Sequence, residues 1–127
     1  MKKRIVAIAL AAVMALSLAA AEKYNEANSY FLRAIDIMKS AENGENEIAI
    51  TYLNMANTIE AEKGLQDAES EIQDLLEQAE EMLDRVSDRN AYHAFVCEKC
   101  APTFDYYGWF ATAIKLNERA RNIYDRT

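Results

Sequence analysis

Ala56 and Ala68 stand twelve residues apart in this chain, and Ala101 and Ala113 repeat the same step. Twelve residues carry a chain from one helix, round a turn and onto the next, and a side chain no larger than Ala suits the point where two helices approach most closely. Around each alanine, apolar residues recur at three- and four-residue intervals, the period of an amphipathic helix. The combination restricts the chain to helices packed in pairs.

The same period divides the chain from residue 22 onward into five expected helices. The first, near 22–40, carries Tyr24, Ala27, Phe31, Ala34, Ile35 and Met38 and stops before Asn43-Gly44. The second, near 46–62, carries Ile48, Tyr52, Met55, Ala56 and Ile59 and ends at Lys63-Gly64, a cationic last turn followed by a left-handed cap. The third, near 65–85, sets Leu65, Ala68, Ile72, Leu75, Leu76, Ala79, Met82 and Leu83 on one side. Ser87 or Asp88 is a suitable cap for the fourth, near 89–106, which Gly108 closes and in which Pro102 predicts a kink or an early end. The fifth, near 109–125, carries Phe110, Ala113, Ile114, Leu116, Ala120, Ile123 and Tyr124. Three Gly, one Pro and 51% apolar residues, with no β-branched runs beyond the amino terminus, make the expected class all-α, an antiparallel helix-pair solenoid.

Tyr52, Met55, Ala56 and Ile59, followed by Ala68 and Ile72, match the two-helix signature of a known repeat, and Cys97, Cys100, Ala101 and Phe104 fill the first-helix positions again before Ala113 and Ala120. Ala27, Phe31, Ala34 and Ile35 match a second helix that lacks its first. Over residues 22–127 the chain thus resembles a tetratricopeptide-repeat (TPR) protein, with two repeats and a leading half. Its alanine intervals of 41 and 45 residues exceed the usual interval of about 34. In this, and in Ile50-Thr51-Tyr52-Leu53-Asn54-Met55-Ala56, it looks like the extended repeats of kinesin light chains and their bacterial counterparts. It departs from the signature at Asn117, where an aromatic is expected, and in lacking the closing Pro.

Lys2, Lys3 and Arg4, an apolar run from Ile5 to Leu18, and Ala19-Ala20-Ala21 have the order of a secretory signal. The run is short of the roughly 20 residues of a membrane span, so cleavage after Ala21 leaves no span. The expected domains are therefore a signal peptide at 1–21 and a repeat domain at 22–127, in an exported protein. An uncleaved anchor, or a first helix of a cytoplasmic fold, is the alternative. The net charge is −7, which disfavours nucleic acid as a partner because phosphate binding needs clustered Lys and Arg. Residues 42–84 hold thirteen acids against Lys63 alone, whereas residues 85–127 hold seven basic and five acidic residues. Such a split is either a solvated helix face or a surface that orients a basic partner.

His93, Cys97 and Cys100 are spaced to share one helix face. Three nitrogen and sulfur donors suggest zinc or copper, although a fourth ligand and a second Cys pair are missing. Cys-x-x-Cys spacing also suggests redox chemistry, without the strand-to-helix setting that activates a thiol. The repeat register favours a third reading, in which both thiols are core residues in the places of Tyr52 and Met55. Seven of the twelve aromatics lie between Tyr92 and Phe110. Phe95 and Phe104 are expected inside, while Tyr106, Tyr107 and Trp109 form either a stapled turn or anchors of a binding surface.

One His, no phosphate loop and no nucleophile arrangement point away from an enzyme and from any cofactor. The resemblance implies a scaffold that holds a protein or peptide on the face lined by the first helix of each pair, where Asn54, Asn57 and Thr58 are candidate contacts. The alternatives are a metal-binding or thiol-active protein using His93, Cys97 and Cys100, or a fragment of a longer array. The leading half-repeat is expected to leave the apolar face of the 22–40 helix unpaired and open to self-association.

Overall fold

The computed structural model describes residues 23–126. The stretch read as an export signal lies outside the described residues. Among the described residues there are five helices and no strand: α1 Lys23–Ser40, α2 Glu45–Lys63, α3 Glu69–Arg85, α4 Ala91–Tyr106 and α5 Phe110–Arg126. They form an antiparallel helix-pair solenoid, in which α2 packs with α3 and α4 with α5, while α1 packs on α2. None of the described helices is long and apolar enough to cross a membrane.

The repeat is visible in what is buried. Ala27, Phe31, Ala34, Ile35 and Met38 of α1 match, 41 residues on, Ala68, Ile72, Leu75, Leu76 and Ala79, and every one of these is buried. Ile48, Ala49, Thr51, Tyr52, Met55 and Ala56 of α2 match, 45 residues on, His93, Ala94, Val96, Cys97, Cys100 and Ala101 of α4, again all buried. Ala56 and Ala101 are 0% and 1% exposed, so there is no room at either position for a larger side chain.

The helix ends follow local chemistry. At the α1–α2 turn a Cβ on Gly44 would collide with the Met38 carbonyl oxygen, so only Gly permits the approach. Gly64 takes φ 85° and ψ 158°, a conformation open essentially to Gly alone, and its N–H closes α2 on the Glu60 carbonyl at 2.8 Å. Asn90, rather than Ser87 or Asp88, caps α4, its Oδ1 accepting from the His93 N–H at 3.0 Å. Pro102 does not end α4, which continues to Tyr106.

Several apolar positions lie outside. Leu65 is 53% exposed because α3 begins only at Glu69, which leaves residue 65 in the turn. Phe110, its equivalent one repeat later, is 61% exposed and Ile114 is 58% exposed, since α5 buries the side marked by Thr112, Ala113, Leu116, Ala120 and Ile123. Phe95, expected inside, is 48% exposed, with the Lys99 ammonium 5.4 Å from its ring centroid. The stripe of the 22–40 helix expected to stand unpaired is covered by α2, and what α1 leaves outside is Tyr30, Leu32 and Ile37.

Candidate functional site

The first helices of the two pairs, α2 and α4, run parallel, as their cross-contacts show. At the amino-terminal ends the Tyr92 hydroxyl donates to Glu47 and His93 meets Asn46; at the carboxyl-terminal ends Tyr106 and Tyr107 both reach Glu60. Between the carboxyl-terminal halves lies an open groove of about 450 Å³ lined by Asn57, Glu60, Ala61, Pro102, Thr103 and Tyr106. That volume is within the range of small-ligand and side-chain pockets.

The polar geometry of the groove centres on Glu60. Its Oε2 accepts from the Tyr106 hydroxyl at 2.6 Å and its Oε1 from the Tyr107 hydroxyl at 2.8 Å. The same Tyr107 O–H is shared with Asn57 Oδ1, which lies 2.9 Å from the hydroxyl oxygen. The Tyr107 hydroxyl is held far above its usual range by burial and by the carboxylate it serves, and the hydrogen bond to Glu60 also raises Tyr106. Both hydroxyls therefore stay protonated donors at any physiological pH. The two rings meet edge to face with centroids 4.8 Å apart.

The six candidate contact residues divide into two sets. Asn57 and Tyr106 line the groove, and Tyr107 is tied to it through its hydroxyl on Asn57 and Glu60. Asn54 and Thr58 are buried because α2 is enclosed by α1, α3 and α4, and the Thr58 hydroxyl donates to the Asn54 carbonyl at 2.8 Å. Trp109 is half-buried away from the groove, its indole N–H donating to Gln73 at 2.8 Å and its ring 5.9 Å from that of Phe104, so it staples the α4–α5 turn. Glu60, the centre of the groove, was not singled out in the sequence. It reads there as one more acid on an acidic helix, and only the stacking of α4 on α2 brings tyrosines 46 and 47 residues away onto it.

His93, Cys97 and Cys100 all sit in the core. The His93 Nδ1–H donates to Asn46 Oδ1 at 2.7 Å, which leaves Nε2 as an acceptor 3.4 Å from the Cys97 thiol. Burial, aided by Arg119 and Arg89, depresses the imidazole to about 4, so it is neutral at pH 7. Burial raises Cys97 and pushes Cys100 up to about 12, which keeps both as thiols rather than nucleophilic thiolates. Among the described residues no three His, Cys, Asp or Glu side chains are placed to hold a metal ion. With one ring nitrogen committed to Asn46 and the other facing a protonated thiol, these residues form a packed polar contact between α2 and α4.

Two buried polar atoms on α2, Glu47 Oε2 and Asn54 Nδ2, take no hydrogen bond from the protein. No protein-family model, curated protein or solved structure matches the chain.

Proposed function

We propose that the protein is a non-enzymatic, TPR-like scaffold that holds a peptide or a segment of a partner protein in the groove between α2 and α4. The observation that carries this reading is that Asn57, Glu60 and Tyr106 line one open groove between parallel first helices, with Tyr107 hydrogen-bonded to Asn57 and Glu60 behind them. Tyr is favoured at binding surfaces because it brings a large rigid ring and a polar tip together. Exposed polar groups beside it supply orientation, and the stacked helices supply a rigid support. The exported location belongs to the same proposal and rests on the basic, apolar and small residues at 2–21.

Selection of a displayed random dodecapeptide library against the full chain tests the reading. Peptides recovered on the wild type are expected to bind Asn57→Ala about 5- to 20-fold more weakly, a loss of about 1–2 kcal/mol from a groove contact. A peptide set that binds the wild type and this variant equally well would place the binding surface elsewhere and end the groove assignment.

A further inference from the structure

Glu60 is the one charged side chain among the residues lining the groove. Two tyrosine hydroxyls already donate to it, one to each oxygen. A carboxylate offers about four acceptor positions, so the two tyrosine hydroxyls leave about two unused on a side chain that lines the groove. No Lys or Arg is among the lining residues to neutralise it. Tyr106 is 65% exposed and presents its ring along the same wall. An apolar occupant would cover this charge without a counter-ion, and an anionic one would set like charges together. A guanidinium or ammonium would instead take the two open acceptor positions while lying against an aromatic ring. The acid excess of residues 42–84 likewise attracts a partner of positive charge.

We infer that the groove between α2 and α4 selects a peptide segment bearing an arginine or lysine side chain, with Glu60 as its counter-ion and Tyr106 as its aromatic wall. This inference rests on the reading of the groove as a peptide site.

The test is the same displayed dodecapeptide library, selected in parallel on the wild type, Glu60→Gln, Tyr106→Ala and Glu77→Gln, each first checked for wild-type helical circular dichroism. Glu77 is an exposed acid on α3, so its replacement removes one negative charge away from the groove. The expected result is enrichment of Arg or Lys at one peptide position by at least about fivefold on the wild type and on Glu77→Gln. That enrichment disappears on Glu60→Gln, and the selected peptides bind Tyr106→Ala about 3- to 10-fold more weakly. In a recovered peptide, replacing the selected arginine by the neutral isostere citrulline lowers affinity about tenfold. Groove-dependent peptides with no cationic preference would overturn the inference and leave the scaffold standing. Equal loss of cationic preference on Glu60→Gln and Glu77→Gln would reduce the effect to the overall acidic field and overturn it as well. Absence of any peptide enriched over an unrelated protein would overturn both readings.

Discussion

His93 shows how one position acquires its character from its neighbours. It is 0% exposed and stands where Ile48 stands one repeat earlier, so the fold treats it as a core residue and then satisfies its two nitrogens with Asn46 and the Cys97 thiol. Protonating it would remove the acceptor that faces Cys97 and bury a cation beside Arg119 and Arg89, only partly offset by Asp84. The folded protein therefore resists the proton down to about pH 4, whereas the unfolded chain takes it up near 6.5. Between those values the unfolded state binds more protons, so stability present above pH 6.5 is lost as pH falls and levels off below about 4. Urea denaturation of the wild type and His93→Gln across this window should show an excess loss in the wild type on the order of 2–3 kcal/mol. Parallel pH profiles would mean that His93 is solvated in the folded state. The spacing of His93, Cys97 and Cys100 was legible in the sequence, and so was the register that sends them inward. The depressed imidazole was not, because it depends on Asn46, 47 residues away across a helix interface.

Helices stacked in a solenoid turn repeat length into a rule for neighbours. The contacts between α2 and α4 join residues separated by 45 to 50 positions, close to the 45-residue interval that relates Ala56 to Ala101. A reader of the sequence could thus have paired Glu60 with the tyrosines at 106 and 107, given the assumption of parallel stacking. Between α3 and α5 the interface is ionic. Lys115 bridges Glu80 at 2.6 Å and Asp84 at 3.0 Å, and Arg119 binds Asp84 at 2.7 Å and the Leu83 carbonyl at 3.3 Å. The split between an acidic 42–84 and a more basic 85–127 is thus used in part inside the molecule, to join one helix pair to the next. Partial burial pushes the Asp84 carboxyl up, but hydrogen bonds from Arg119 and Lys115 outweigh it and hold the group below its ordinary value. Exposure sets the size of the effect. Asp84 is 43% exposed, so Asp84→Asn should cost only about 0.5–1 kcal/mol in chemical denaturation, and that cost should shrink in 1 M salt. Arg119 is 12% exposed, and its stem packs as well as its charge, so Arg119→Ala should cost about 1–2 kcal/mol with a larger salt-resistant part. Equal, fully salt-screened losses would show that the interface is held by charge alone.

At the scale of the whole molecule, stability should follow the number of sides on which each helix is covered. In α2, buried residues run all round the axis from Asn46 to Ala56, because α1, α3 and α4 enclose it. α1 rests mainly on α2 and buries a single stripe. A solenoid is stabilised by contacts between neighbouring elements, so its terminal element opens without dismantling the rest. The helical class and the pairing of these elements were legible in the apolar period and the alanine steps. Which helix would be interior was not, since α2 hides polar Asn46, Glu47, Asn54 and Thr58 as completely as its apolar residues, and a sequence assigns such side chains to a surface. Native-state hydrogen exchange should reflect the difference, with amides of α1 exchanging through a local opening well below the global free energy and amides at the centre of α2 only through global unfolding. Phe31 is 1% exposed and anchors α1, so Phe31→Ala should lower protection in α1 by about 2–4 kcal/mol, or down to its remaining opening energy, while leaving the α4–α5 pair within about 0.5 kcal/mol of wild type. Uniform loss of protection across all five helices would instead show that the molecule unfolds as one cooperative unit, and that the groove between α2 and α4 depends on α1 for its shape.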